Sequence, residues 1–419
     1  MKTLLMLALQ SMRNRRLTAI MTILAIAVSV TLLVGVEKLR TGAKVSFSNT
    51  ISGTDLIVGA RSGSVQMLLY SVFRIGNATN NISWQSYQDI AANPKVAWTI
   101  PISLGDSHRG YRVLGTNGDY FKHYKYGRQR HLKFEQGHQF TALHDVVLGA
   151  EVAQKLGYQL GQQLVIGHGI GNTSFSEHKD QPFKVVGILK PTGTPLDRTL
   201  HVSLAAIEAI HVDWQAGAYI AGSGGTVPVE ERQLQPKAIT AMLVGLKSKM
   251  ATFKLQRSIN NYRGEALQAI LPGVALQELW AMISIAEQML LVISGFVVAT
   301  GLFGMLTVLL TSLNERRREM AILRAIGARP WQIFLLLVLE TGGLTLCGIL
   351  LSMVMLYGGL GLTLPVIESQ FGLFLELDWP SRYELTLLAV VWCSGTLCGL
   401  VPGYRAYRNS VSDGMTVRI

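Results

Sequence analysis

Four long apolar runs constrain this chain more than any other feature. They fall at residues 17–36, about 289–313, about 333–360 and about 385–401. A helix needs about 20 residues to cross a hydrocarbon core. In lipid, a spanning segment has to satisfy its own backbone polar groups, which a helix does. The runs therefore predict four transmembrane helices and exclude an ordinary soluble domain. Composition agrees, with 49% hydrophobic and 15% charged residues. The first run is too long for a signal-peptide core, and no small-x-small cleavage pattern follows it. It is expected to be retained as an anchor.

Basic residues set the orientation. Lys2, Arg13, Arg15 and Arg16 precede the first run. Arg316, Arg317, Arg318, Arg324 and Arg329 lie between the second and third, and Arg405, Arg408 and Arg418 follow the fourth. The segment between the third and fourth runs instead carries Glu368, Glu376, Asp378 and Glu384 against Arg382. Lys and Arg accumulate on the cytoplasmic side. Both termini are thus expected inside, in a chain that crosses its membrane several times. The expected organisation is a cytoplasmic amphipathic basic helix at 1–16, span one at 17–36 and a periplasmic domain at 37–281. A stalk end and span two follow at 282–313, then a cytoplasmic coupling helix at 314–330 and span three at 331–360. A periplasmic loop at 361–384, span four at 385–403 and a cytoplasmic tail at 404–419 complete the chain. The net charge of +12 reflects this bias at the membrane faces, and no nucleic-acid partner is expected. The stretch KHYKYGRQRHLK at 122–133 reads as a solvated loop or as a patch drawn to anionic membrane lipid. Cys347, Cys393 and Cys398 all lie in apolar runs. The external domain must therefore be held by a hydrophobic core without disulfides, which suits a periplasm.

Two similar units flank that domain. TDLIVGA (54–60) reads as a strand, SWQSYQDIAA (83–92) as a Ser-capped helix and VAWTIPISL (96–104) as a strand. Near the other end, 239–246 reads as a strand, 249–262 as a helix and 266–271 as a strand. Together, about 37–106 and 229–281 form a β-α-β module. Residues 107–228 form an inserted β-rich lobe with short strands at 145–148, 164–166, 183–188 and 200–202, returning through the linker AGSGGTVP (221–228). The fold class expected is an α+β membrane protein: four transmembrane helices, with a large mixed α/β periplasmic domain between helices 1 and 2. Residues 271–288 keep helical apolar spacing into span two and read as a stalk.

The segment NERRREMAILRAIGARP (314–330) lies between the second and third runs. On a helix, Met320, Ile322, Leu323 and Ile326 form an apolar side, and Arg316, Arg317, Glu319 and Arg324 occupy the remainder. Glu315 and Arg318 are spaced i,i+3. Gly327 suits a helix end and Pro330 the first turn of the next helix. An apolar stripe flanked by charge is what a partner's groove grips. The other reading is an interfacial anchor that only satisfies the charge rule.

This segment resembles the coupling segment of the MacB/FtsX-type (LolC/LolE-related) ABC transporter permeases, whose usual form is close to N-E-R-x-R-E-x-x-x-L-R-A-I-G-A. LALQSMRNRRLTAIMTILAIAVSV (7–30) is similar to that family's opening. GLVPGYRAYRNSVSDGM (399–415) is similar to its close, with Pro402, Arg405 and Ala406 matching, while Gly403 and Val411 depart from the usual Ala and Pro. VVLGAEVAQKLG (146–157) and FKVVGILKPTG (183–193) look like strands of the family's periplasmic domain. The resemblance implies a multi-pass permease of the bacterial inner membrane, a homodimer joined by two copies of a cytoplasmic ABC ATPase, with ATP and Mg on that partner. Its site would be Glu315, Arg316, Arg318, Glu319, Met320, Leu323, Arg324, Ile326 and Gly327. It further implies mechanotransmission: ATP-driven rocking of the spans opens and closes the periplasmic domains. These engage a periplasmic protein or a lipoprotein, peptide or hydrophobic cargo. A non-transporting regulator is the alternative within the same family.

Enzyme motifs are missing from the sequence. No G-x-x-x-x-G-K-[ST] phosphate loop, G-x-S-x-G elbow or H-E-x-x-H pair occurs, so neither catalysis nor a bound cofactor is expected of this chain. Gly395, Gly399 and Gly403, four apart, permit close helix packing. Glu287 and Glu340 fall in or near spans, where a carboxylate marks function or a structural hydrogen bond. All nine histidines, His108, His123, His131, His138, His144, His168, His178, His201 and His211, fall in one part of the external domain. The first seven are candidate zinc ligands, which would place the chain in a metal-handling system. Their spacing lacks a ligand signature.

Overall fold

The computed structural model describes residues 10, 15–127, 129–168, 181–211, 214–215, 218–219, 234–315, 317–371 and 378–408. In chain order the helices are α1 (Arg16–Asn49), α2 (Ser64–Ser71), α3 (Trp84–Ala91), α4 (Asp119–His123), α5 (Ala150–Leu156), α6 (Leu204–His211), α7 (Thr252–Asn260), α8 (Pro272–Glu315), α9 (Arg317–Ala325), α10 (Pro330–Phe371), α11 (Arg382–Cys398) and α12 (Leu400–Arg408). The principal strands are β1 (Leu56–Ala60), β2 (Val96–His108), β3 (Tyr111–Thr116), β4 (Phe134–Gly137), β5 (Asp145–Leu148), β6 (Phe183–Leu189), β7 (Thr199–Ser203), β8 (Ala241–Leu246) and β9 (Leu267–Ile270). Two compact units result. One comprises Met1–Gly42, Ser284–Val366 and Leu375–Ile419; the other comprises Ala43–Ile283 and Ile367–Phe374.

The α/β unit is organised on one sheet with the order β9-β1-β8-β2-β3-β7-β5-β6-β4. The first four strands are antiparallel neighbours, with Ile57 opposite Ile270, Leu56 opposite Val244 and Leu243 opposite Ile100. The two β-α-β units read from the sequence are thus interleaved: β1 lies between β8 and β9, and β8 lies between β1 and β2. This is a split β-α-β arrangement. The 13-residue β2 serves both halves of the sheet. Its first half pairs with β8 and its second half with β3, across an irregularity between Leu104 and Ser107. The turn from β2 to β3 is made by Arg109 (φ 48°) and Gly110 (φ 85°), the left-handed pair a two-residue hairpin demands. Beyond it, β3 runs parallel to β7, β7 antiparallel to β5 and β5 parallel to β6.

Apolar alternation decides the two faces. Ile57, Leu243 and Ile100 enter a core with Met67, Leu68 and Tyr120, whereas Leu56, Val58, Met242 and Val244 enter a second core beneath α3 and α7. A third cluster, with Val146, Leu148, Val185 and Leu200, fills the inserted half. Ser83 caps α3 by accepting from the Ser86 amide, as its position predicts.

Several expectations need correction. Residues 146–157 are not all strand: β5 ends at Leu148, and α5 carries Ala150–Leu156 before Gly157 at φ 70°. AEVAQKL is made of good helix formers, and Gly157 closes the helix in the left-handed region. The inserted half therefore holds α4, α5 and α6 besides its strands. The loop expected at 361–384 is partly helix, since α10 continues to Phe371. Span one likewise continues to Asn49. A helix has no need to stop where its apolar residues stop. The linker at 221–228 lies outside the described residues.

In the helical unit, Ile26, Val30, Val34, Met305, Leu309, Ile349 and Val391 pack together, so all four long helices contribute to one core.

Candidate functional site

The short helix α9 sits in sequence between the 44-residue α8 and the 42-residue α10. Its end is built by local chemistry. The Gly327 amide donates to the Arg324 carbonyl (3.0 Å) and the Ala328 amide to the Leu323 carbonyl (2.9 Å). These paired bonds form a Schellman closure, and Gly327 at φ 105° supplies the left-handed residue it requires. Pro330 then opens α10. The Arg329 amide donates to Gln332 Oε1 (2.8 Å), which satisfies one amide at that start.

The four apolar residues expected on one side divide between two. Met320 packs with Leu313, Ile333, Leu337 and Ala406, and its neighbour Ala321 is buried. Ile322 and Ile326, four residues apart, are 57% and 80% exposed. Leu323 and Arg324 are half-buried, and Glu319 and Gly327 are exposed. The inner residues fix α9 to the helical unit, and the outer pair presents apolar surface. Arg316 and the side chains of Glu315 and Arg318 lie outside the description.

The remaining predicted residues are placed as follows. A Cβ on Gly395 would collide with Thr345, one on Gly399 with Thr341, and one on Gly403 would lie 2.9 Å from Phe334. All three glycines thus bring α11 and α12 against α10. Glu340 is 3% exposed on α10 and lines a small cavity of about 20 Å³ with Arg15, Thr22 and Ser312. Glu287 belongs to a polar cluster that sequence reading missed. Arg40 Nε donates to Glu37 Oε2 (2.9 Å) and its Nη2 to Glu37 Oε1 (2.6 Å), while its Nη1 lies 3.5 Å from Glu287 Oε2. Nearby, Lys38 Nζ donates to the Asp378 carbonyl (2.7 Å) and lies 3.9 Å from Glu384 Oε2. The signal was available: Glu37, Lys38 and Arg40 follow directly on the first apolar run.

The histidines are scattered. His108 Nδ1 contacts the Val165 carbonyl (2.6 Å) and its Nε2 contacts the Tyr158 hydroxyl (2.9 Å). His123 stacks on Trp98, and His144 Nε2 lies 3.3 Å from Gln181 Oε1. His131 and His138 are exposed. His178 and the side chain of His168 lie outside the description. Among the described residues no three His, Cys, Asp or Glu side chains converge as a metal site.

Among the described residues, four helices long and apolar enough to cross a bilayer, joined to a folded α/β insertion, define an integral membrane protein with a large extramembrane domain. Residues 19–262 match the model of the MacB-like periplasmic core domain, and residues 291–411 that of the FtsX-like permease C-terminal region. The chain belongs to the MacB/FtsX-like family of ABC transporter permeases, inner-membrane proteins with a periplasmic domain. It is 23% identical over 432 aligned residues to the macrolide export ATP-binding/permease protein MacB of Shewanella oneidensis. That alignment covers 97% of this chain and 58% of the relative, so the chain spans less than two thirds of the relative's length. Among solved structures, the periplasmic region of MacB from Actinobacillus actinomycetemcomitans is 12% identical, with a TM-score of 0.34, over 55% of this chain and 94% of that one. The extracellular domain of the ABC-type transporter YknZ from Gram-positive bacteria is 13% identical, with a TM-score of 0.31, over 52% and 99%.

Proposed function

We propose that this chain is the membrane subunit through which a separate cytoplasmic ATPase drives conformational change in a periplasmic domain. ATP and Mg belong to the ATPase, present in two copies on a permease homodimer. The cargo is a lipoprotein, a peptide or another hydrophobic molecule. The observation that carries this reading is α9, fastened from within by Met320 and Ala321 while Ile322 and Ile326 stay exposed. Apolar residues four apart beside basic ones fit a groove on a soluble partner. The distribution of Arg and Lys supports placing both termini and α9 inside the cell and residues 37–281 outside. Family membership supports the ABC setting, and the chain carries no phosphate loop with which to hydrolyse ATP itself.

The test is co-purification of the tagged full chain with an ATPase that mass spectrometry shows to carry a phosphate loop. Replacing Glu315, Arg318 and Leu323 together by Ala is expected to reduce recovered ATPase at least tenfold, the loss of about 1.4 kcal/mol of binding. Membrane insertion should be unchanged. Undiminished recovery and hydrolysis in the triple variant would refute docking on α9.

A further inference from the structure

A groove of about 420 Å³ lies between the start of α1 and the last turns of α8, lined by Arg15, Arg16, Leu17, Thr18, Thr307, Val308, Thr311 and Ser312. We infer that it is a binding site for the headgroup of an anionic glycerophospholipid. Its volume suits a small ligand. Its chemistry is graded in the way a lipid is graded. Arg15 and Arg16, each already engaged in part within the chain, carry five guanidinium donors apiece and bring positive charge to the groove for a phosphodiester. Four hydroxyl residues stand beside them, and Leu17 (74% exposed) and Val308 continue the wall as apolar surface on helices that cross the bilayer.

The hydrogen bonds already made define the partner further. Arg15 Nη1 donates to the Ser312 carbonyl (3.3 Å), which joins the two helices at the groove and presents a cation between them. Thr18 Oγ1 donates to the Arg15 carbonyl (3.0 Å), Thr307 Oγ1 to the Phe303 carbonyl (2.9 Å) and Thr311 Oγ1 to the Thr307 carbonyl (2.9 Å). With their protons committed to the backbone, these three oxygens offer lone pairs. The groove therefore combines cations for a phosphate with acceptors for a headgroup that itself donates hydrogen bonds. Phosphatidylglycerol has both parts, an anionic phosphodiester and a glycerol bearing free hydroxyls. Free phosphate would use the cations alone and leave the apolar wall uncovered. The site lies at whichever membrane face the start of α1 occupies, so it does not depend on the orientation proposed above.

The experiment uses the full chain, delipidated in detergent and titrated with phosphatidylglycerol or with phosphatidylcholine of the same acyl chains, read by native mass spectrometry. Phosphatidylglycerol is expected to bind at least tenfold more tightly. Arg15→Gln with Arg16→Gln should weaken it about thirtyfold, at roughly 1 kcal/mol for each basic residue lost at a membrane surface. Should that variant fail to insert, Thr307→Val with Thr311→Val decides: it keeps both charges and should weaken phosphatidylglycerol several-fold. Arg382→Gln, at the start of α11, should retain full binding. Equal affinity for the two lipids, indifference to the threonine pair, or an equal loss in Arg382→Gln would overturn the site. Inorganic phosphate that binds as tightly as the lipid would overturn the choice of lipid.

Discussion

His201 illustrates how a single side chain sets a property that the sequence pattern conceals. It lies on β7, fully buried beside Tyr120 and Phe121, with ring centroids 5.2 and 6.0 Å away. Among the described residues, neither ring nitrogen meets a partner at hydrogen-bonding geometry. Burial, with the charge of Arg74 second, pushes its pKa down from 6.5 to about 3. The unfolded chain accepts a proton near pH 6.5 that the folded chain refuses until about pH 3. Stability from this residue is therefore complete above pH 6.5 and is lost as the pH falls through that window. By pH 5 the loss is about 2 kcal/mol. His201→Leu, close to isosteric, is expected to narrow the gap in Tm between pH 7.5 and pH 5 in thermal melts of the detergent-solubilised chain. An unchanged gap would place the acid sensitivity elsewhere. Grouping all nine histidines by position alone could not separate this core residue from its exposed neighbours, because burial is set by strands distant in sequence.

At the scale of elements, the glycines of α11 and its continuation tell α10 where to lie. Gly399 faces Thr341, with Thr341 Cγ2 and Cβ 3.0 and 3.1 Å from the position of an added Cβ. Gly399→Ala is expected to cost about 1–3 kcal/mol through overpacking, and Thr341→Ala in the same chain should restore at least half of it. Melting temperatures of the two single variants and the double variant close that cycle, and additive losses would mean that the two positions do not share a contact. Elements such as these were largely legible. Long apolar runs, the Ser83 cap, the strands at 54–60 and 183–188 and the Gly327-to-Pro330 junction follow from local chemistry, and the structure carries each of them. The interleaving of the two β-α-β units was not legible, because strand order depends on pairing across nearly 200 residues. The helix at Ala150–Leu156 was readable from its composition but was masked by an apolar strand just before it. At α9, the composition showed an amphipathic segment. It did not show that Met320 turns inward while Ile322 and Ile326 face outward, because that division depends on Leu313, Ile333 and Leu337 of other helices.

For the whole molecule, the governing question is which side of the membrane each unit occupies, and the chain's own cysteines make it answerable. Cys347, Cys393 and Cys398 all lie on long apolar helices, two of them exposed on the helical unit, and the α/β unit has no cysteine. Replacing the three by Ala removes any background reaction without touching the external core. A single Cys at Met250, 94% exposed ahead of α7, or at Ile326, 80% exposed after α9, then reports one location each. Basic residues flank α9 on both sides, whereas Met250 belongs to the α/β unit. The charge rule therefore assigns the two positions to opposite compartments. Met250→Cys is expected to react with a membrane-impermeant maleimide in intact cells with a permeabilised outer membrane. Ile326→Cys should react only after the inner membrane is breached. The reverse pattern would put α9 where no ATP is available and would refute the proposed docking of an ATPase on it.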